Sequence, residues 1–159
     1  MPFPSTVQAS MTPVNEGELG LGANIVLSTD SWQAGLLLGR FAQMKVGVLS
    51  NLDGTATPLL AGVVLRELNS LIELPGAAGS AFSGLLVSEK NQDYVRQGLV
   101  TVKLAAGSAV PNIFDPVYVI NVLGNVDNGN VTPTVGSNVA TTAEFIEQVQ
   151  AGIWLVRIK

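Results

Sequence analysis

Short runs of Val, Leu and Ile, separated by turn residues, recur from Asn24 to the end of the chain and restrict its fold more than any other feature. The runs lie at residues 24–28, 35–49, 58–67, 94–105, 116–123 and 152–158. Segments of this length and spacing are typical of strands in an all-β sandwich or barrel. We therefore predict an all-β fold, a single-domain antiparallel β-barrel or sandwich that is jelly-roll-like.

Two dipeptides give the strongest turn signals, Asp53-Gly54 and Asn128-Gly129. Both readily adopt the positive φ values that tight hairpin turns need. Each dipeptide is therefore predicted to join two antiparallel strands.

The C-terminal stretch, residues 152–158, stays apolar to within one residue of the chain end, so we expect it to be paired and packed. Strand alternation places Trp154, Val156 and Ile158 on one face, whereas the other face carries Arg157. We predict that the face with Trp154 lies in the core and that the odd-numbered face lies outside.

Two segments fit more than one structure. Residues 63–74 carry apolar side chains at nearly helical spacing, and Pro75-Gly76 would end a helix, so one short helix is allowed there. Residues 141–144 match a helix capping box, but residues 141–149 also alternate as a strand. We favour a strand for the second segment.

Residues 1–23 differ in composition and in hydrophobic pattern from the rest of the chain. They contain Pro2, Pro4 and Pro13, and their few apolar residues follow neither a helical nor a strand period. We predict an extended N-terminal arm over residues 1–23 and a β-rich body over residues 24–159.

The chain contains no Cys and no His, which excludes most enzymatic and metal chemistry. Thiol nucleophiles, the commonest metal ligands and the Ser-His-Asp arrangement all depend on these residues. The carboxylates are scattered, with close pairs only at Glu16/Glu18 and Glu144/Glu147. We expect a protein that is not an enzyme and binds neither a cofactor nor a metal; a small hydrolase that uses carboxylates alone is the enzymatic alternative.

The charge balance is 8 basic against 12 acidic residues, a net charge of −4. This leaves no cationic surface for nucleic acid, and no apolar run is long enough to cross a membrane. The N-terminus lacks a cationic stretch followed by an apolar core, so we expect synthesis and retention in a cytoplasm. Because 47% of residues are apolar and only 13% are charged, we also expect a homodimer or homotrimer.

The aromatic residues separate into candidate anchors and candidate core. Trp32 follows Thr29-Asp30-Ser31 in a predicted loop and is the best candidate for an exposed anchor. Trp154 and Tyr118 lie within apolar strand patterns and are predicted to pack in the core. A receptor- or carbohydrate-binding β-sandwich of a virion or cell surface is the alternative function.

The order of elements resembles the small cement, or head-decoration, proteins of tailed bacteriophages. In that family a proline-bearing arm beginning Met-Pro-Phe leads into a β-rich body. The stretches that carry the resemblance are Met1–Val7, Pro13–Glu18, Gly39–Ala42 and Gly152–Ile158. The resemblance implies a non-enzymatic virion protein on the capsid exterior that binds the major capsid protein and bridges neighbouring subunits against internal DNA pressure.

With that resemblance, the arm becomes the expected attachment segment. Its prolines suit an extended chain that lies along another protein, and its apolar side chains would anchor it. The capsid-contact residues predicted from the sequence are Pro2, Phe3, Pro4, Val7 and Trp32.

Overall fold

The computed structural model describes residues 16–20, 25–31, 35–65 and 92–159, which form nine strands and no helix. The strands are β1 (Val26–Asp30), β2 (Phe41–Lys45), β3 (Val48–Asn51), β4 (Leu60–Val64), β5 (Gln92–Lys103), β6 (Pro116–Val119), β7 (Val131–Thr132), β8 (Val139–Gln150) and β9 (Ile153–Ile158). Each of the six apolar runs found in the sequence contributes to at least one strand. The all-β prediction is therefore confirmed.

The strands form one antiparallel sheet in the order β3-β2-β4-β5-β9-β8-β6-β7, and β1 pairs with β5 beside this path. Strand β5 joins the two halves, because residues 92–97 pair with β1 and β4 whereas residues 98–103 pair with β9. The sheet curls until Leu104 forms a bridge with Val131, and the Ala105 N–H donates to the Val131 carbonyl at 2.8 Å. The result is a half-barrel, consistent with the predicted barrel or sandwich.

The main hydrophobic core fills the concave side of this curled sheet. Phe145 and Trp154 pack edge to face in it, with ring centroids 5.5 Å apart. Besides these two rings, its buried members are mostly β-branched side chains from strands in both halves of the sheet: Val63, Val95, Val100, Val102, Val117, Val119, Val131 and Val156. Valines pack well on a pleated sheet, so the same residues that favour strands locally also supply the core.

A second, smaller cluster lies on the opposite face of the β2, β4 and β5 region. It contains Leu36, Ala42, Leu49, Val64 and Tyr94. Successive strand residues point to opposite faces, so the neighbours of these residues along the chain enter the main core instead. Both faces of this part of the sheet are therefore covered.

For the C-terminal strand, the prediction that the face with Trp154 is buried is confirmed, and the prediction that the other face lies outside is wrong. Trp154, Val156 and Ile158 are buried, as predicted. Ile153 and Leu155 on the supposed outer face are also buried, at 7% exposure each. Leu155 is covered because Gly20 lies against it, so close that a Cβ on that glycine would come within 2.8 Å of the leucine side chain.

Residues 16–20, inside the stretch predicted to be an arm, extend the sheet along β5. The Gly17 N–H donates to the Thr101 carbonyl at 2.7 Å, and the Thr101 N–H donates to the Glu18 carbonyl at 2.9 Å. The Gly20 N–H donates to the Leu99 carbonyl at 2.9 Å. This segment is therefore hydrogen-bonded to the body.

The structure also settles most of the ambiguous segments. Residues 141–149 lie within β8, so the strand prediction is confirmed. Val63 and Val64 belong to β4, whereas residues 66–74 of the allowed helix lie outside the described residues.

The two turn predictions had different outcomes. The Asp53-Gly54 hairpin is wrong, because the strands on either side of it, β3 and β4, both pair with β2 rather than with each other. The tight hairpin lies at Val46-Gly47, where Lys45 pairs with Val48. The Asn128-Gly129 prediction is confirmed, since β6 and β7 are paired and antiparallel.

Candidate interaction surface

Three connections between strands lie together at one end of the half-barrel: the β2–β3 turn (residues 45–48), the β3–β4 loop (52–59) and the β6–β7 loop (120–130). We call them the loop surface. Side-chain-to-backbone hydrogen bonds join the β3–β4 and β6–β7 loops, and the Lys45–Asp53 ion pair joins the β2–β3 turn to the β3–β4 loop. The three loops are therefore in contact with one another.

Asn121 joins the β6–β7 loop to the β3–β4 loop. Its side-chain oxygen accepts from the Gly54 N–H at 2.8 Å, and its side-chain nitrogen donates to the Thr55 carbonyl at 2.6 Å. An asparagine amide can satisfy a donor and an acceptor at once, so one side chain sets both the distance and the orientation of the two loops.

Arg40 and Asn128 bind the same region from the inner side. Arg40 Nη1 donates to the carbonyls of Val126 and Asn128 at 2.7 and 2.9 Å, and Asn128 Nδ2 donates to the Leu52 carbonyl at 2.6 Å. Burial lowers the pKa of Arg40, and the negative charges of Asp127 and Glu16 oppose that shift. The guanidinium stays charged and fixes the course of the β6–β7 loop.

Asp53 is the carboxylate at the centre of the loop surface. Lys45 Nζ lies 2.6 Å from one of its oxygens, and Thr55 donates to the other from its hydroxyl at 2.6 Å. These hydrogen bonds, that of Lys45 first, hold the pKa of Asp53 well below its usual value. Asp53 is therefore ionised at neutral pH and joins β2 to the β3–β4 loop, which suits a structural role better than that of a general acid.

The segment 125–130 folds as successive side-chain-stabilised turns. The Asn125 side-chain oxygen accepts from the Asp127 N–H at 2.8 Å, and Asp127 accepts from Asn130 Nδ2 at 2.8 Å. The second oxygen of Asp127 accepts from the Ala106 N–H at 3.2 Å. Asn and Asp favour such local turns because their short polar side chains mimic the backbone.

This polar framework displays apolar side chains to solvent. Val46 is 95% exposed, Val126 is 79% exposed and Leu123 is 73% exposed, and Leu59 and Val122 lie in the same loops. Single exposed apolar residues are ordinary, but several on neighbouring loops mark a contact site for another protein. The loop surface is therefore the best candidate interaction surface among the described residues.

The connection between β5 and β6 carries a second exposed apolar group. Val110, Ile113 and Phe114 are exposed by 74%, 59% and 65%. The Phe114 N–H donates to the Phe145 carbonyl at 2.7 Å, which holds the end of this loop against β8.

One ion-pair cluster lies apart from both groups of loops. Lys159 Nζ is 2.6 Å from one oxygen of Glu144, and Arg157 donates to the other. Both bonds, that of Lys159 first, lower the pKa of Glu144. Within the described part of the chain, no group of three His, Cys, Asp or Glu side chains is arranged to hold a metal ion.

The site residues predicted from the sequence, Pro2, Phe3, Pro4, Val7 and Trp32, all lie outside the described residues. Their role in binding stays a prediction. Trp154 is buried as predicted, whereas Tyr118 is only half-buried and does not belong to the buried core, so its core prediction is wrong.

Sequence reasoning missed the exposed residues of the loop surface. The Asn-Gly and Asp-Gly pairs marked two of its loops, but exposure depends on which strands pair, and pairing of β2 with both β3 and β4 is not readable from local pattern. The usable signal was Gly47, a glycine inside the apolar run 35–49 that permits a tight turn.

Comparison with known proteins identifies the family of this chain. The model of the family described as XM1 gp53 minor capsid protein matches residues 20–159, nearly the whole chain. The chain belongs to this phage minor capsid protein family. No curated protein sequence matches it.

A solved chain from the capsid of Myoviridae phage XM1 is similar to this protein over its full length. The two share 29% sequence identity with a TM-score of 0.77, and the similarity covers 100% of this chain and 98% of the other. Since the match spans both halves of the sheet, this member of the minor capsid protein family keeps the whole architecture of that capsid chain. A bacteriophage capsid protein with an all-β fold is a structural component of a virion.

No helix in the described segments has the length and apolar character needed to cross a bilayer.

Proposed function

We propose that this protein is a cement protein, which binds the outside of a tailed-phage capsid and bridges neighbouring major capsid subunits without catalysing a reaction. The observation that carries the proposal is membership of the minor capsid protein family together with full-length similarity to a chain of a phage capsid. The low charge and high apolar content of the chain support a protein that covers much of its surface with partners.

The loop surface supplies a suitable contact. Arg40, Asn121 and Asn128 hold its loops in one arrangement before any partner binds. Little conformational entropy is then lost when the exposed side chains, such as Leu123, become buried. A preformed apolar surface of this kind favours attachment to an assembled shell.

Attachment at several points would strengthen the shell. In our proposal the protein acts as a homodimer or homotrimer, and each protomer makes a modest contact with the lattice. When linked contacts engage one lattice together, avidity can exceed a single affinity by about 10²- to 10⁴-fold. Individually weak contacts are then sufficient to resist outward pressure.

The test is co-sedimentation of the purified protein with expanded heads that lack it, followed by heating of the decorated and bare heads. We expect saturable binding and a higher temperature of head rupture after decoration. Leu123→Asp should weaken binding, because it places a charge on the loop surface, whereas Val135→Asp at a separate exposed turn is the matched control. A wild-type protein that stays in the supernatant at saturating concentration would contradict the proposed function.

A further inference from the structure

Two residues of the described chain combine an unfavourable backbone conformation with an apolar side chain that is exposed to solvent. Val46 and Phe114 are its only non-glycine residues with positive φ, at 52° and 69°. This left-handed region is uncommon for any residue with a Cβ and is a clear outlier for a β-branched or bulky one. Glycine, asparagine and aspartate are the residues that normally occupy it.

Neither side chain is buried in the core of the fold. Val46 is 95% exposed and Phe114 is 65% exposed, so packing does not offset the backbone strain at either position. A polar residue that tolerates positive φ would be better for folding at both places. Backbone strain and an exposed apolar side chain thus occur together at both residues. This combination points to a function in contacting another molecule.

The surrounding structure imposes both conformations. Val46 and Gly47 form the turn between Lys45 and Val48, which are paired at the ends of β2 and β3. Phe114 is fixed by the bond from its N–H to the Phe145 carbonyl, and the Phe145 N–H donates to the Asp115 backbone carbonyl at 3.0 Å. Strain that is imposed by its surroundings in this way is concentrated at functional sites.

The two residues also belong to different parts of the sheet. Val46 follows β2 at one end of the strand order, and Phe114 precedes β6 near the other end. Their chemical surroundings are alike. Residues 104–114 contain no charged side chain, and the charged neighbour of each residue already has a partner. Asp115, next to Phe114, accepts from the Asn112 N–H at 2.7 Å, and Lys45, next to Val46, is paired with Asp53.

We infer that Val46 and Phe114 are two separate docking residues, each inserted into an uncharged apolar pocket on a neighbouring subunit of the capsid shell. One chain would then hold two subunits, which is the geometry that bridging requires. This inference rests on the proposed function. Because the contacts are apolar, attachment should depend little on ionic strength, from about 0.1 M to about 1 M salt.

The experiment compares Val46→Asn and Phe114→Asn with the wild type on expanded heads lacking the protein. Asparagine accepts positive φ, so each variant should melt at the wild-type temperature or about 2–4 °C above it. Each should bind heads at least about tenfold more weakly, and the double variant more weakly still. Val135→Asn, which removes an exposed apolar side chain at a turn with ordinary φ, should bind as the wild type does.

The outcomes separate this inference from the proposed function. If the wild type does not bind heads, the proposed function fails and the inference fails with it. If the wild type binds and both asparagine variants bind equally well, the function stands and the docking residues are refuted. Val46→Gly and Phe114→Gly repeat the test with the residue most tolerant of positive φ, and a variant that melts well below the wild type would show that the side chain serves the fold instead.

Discussion

Trp154 lies on the C-terminal strand β9 and is next to residues of both strands that pair with β9. It is 5% exposed, packs edge to face with Phe145 and faces Val102 in the β5–β9 pair. Trp154→Ala should therefore lower the free energy of unfolding by about 3–5 kcal/mol. Denaturant melts with equal m-values measure the difference.

Arg157→Ala on the same strand is the matched control. The Arg157 side chain is 46% exposed, and Lys159 still pairs with Glu144 after its removal. The expected cost is about 1 kcal/mol or less. A Trp154→Ala protein that melts like the parent would mean that the indole does not belong to the core.

Glu144 makes the fold sensitive to acid. Its bonds to Lys159 and Arg157 lower its folded-state pKa below the ordinary value of 4.5. The stabilisation is complete above that ordinary value and is lost as the pH falls through the lower folded-state pKa. We expect the difference in unfolding free energy between the wild type and Glu144→Gln to shrink over this acid range, and parallel pH profiles would contradict the assignment.

Arg40 binds the β6–β7 loop of the loop surface through two backbone carbonyls. Arg40→Met removes a half-buried charged donor from two loop carbonyls and should cost about 2–3 kcal/mol. Amide exchange should also accelerate in residues 126–130. Arg40→Lys is the control, since it keeps the charge but not the two-bond geometry. Unchanged exchange in the methionine variant would show that the loop holds its shape without the guanidinium.

At the level of elements, β4 and β5 approach too closely for a side chain at Gly62. Its φ is +150°, and a Cβ there would lie 2.0 Å from the Val95 carbonyl oxygen. Gly62→Ala must separate the two strands, so we expect a loss of about 3 kcal/mol or more. Gly107→Ala, at φ +72° with no atom near the added Cβ, isolates the backbone strain and should cost about 1–2 kcal/mol. Equal melting of the two variants would refute the steric explanation.

The elements that could be predicted from sequence are those set by local pattern. The alternation of residues 141–149 indicated β8, and the apolar face of Trp154 indicated which side of β9 enters the core. The Asp53-Gly54 hairpin was mispredicted because a turn dipeptide reports local φ, while the pairing of β3 and β4 with β2 depends on contacts between distant residues. The burial of Leu155 likewise depends on Gly20, a residue far away in sequence.

The candidate site was less predictable for the same reason. The sequence directs attention to Phe3 and Trp32, which the described structure does not include. Leu123 is exposed in a loop that the bonds of Asn121 hold against the β3–β4 loop, and a contact between such distant residues has no local signature. Loop positions could be inferred from sequence, whereas the surface they form together could not.

At the scale of the whole molecule, the two halves of the sheet are joined through β5, and residues 16–20 add to its C-terminal half. Three backbone hydrogen bonds connect Gly17, Glu18 and Gly20 with Leu99 and Thr101. Residues 16–20 therefore belong to the fold, and the attachment role predicted for the arm stays a prediction for the residues before them. This divides the predicted arm into two stretches with different expected roles.

Two truncations test that division. Deleting residues 2–12 keeps every bond between residues 16–20 and β5, so the melting temperature should stay nearly unchanged, while binding to heads should weaken because Phe3 and Val7 are lost. Deleting residues 2–20 also removes the three backbone bonds to β5 and uncovers Leu155, so it should cost about 2–4 kcal/mol. Thermal melts and head co-sedimentation of both proteins give the two readouts. If the shorter deletion already lowers the melting temperature as much as the longer one, residues 2–12 belong to the fold, and attachment must be assigned to the body alone.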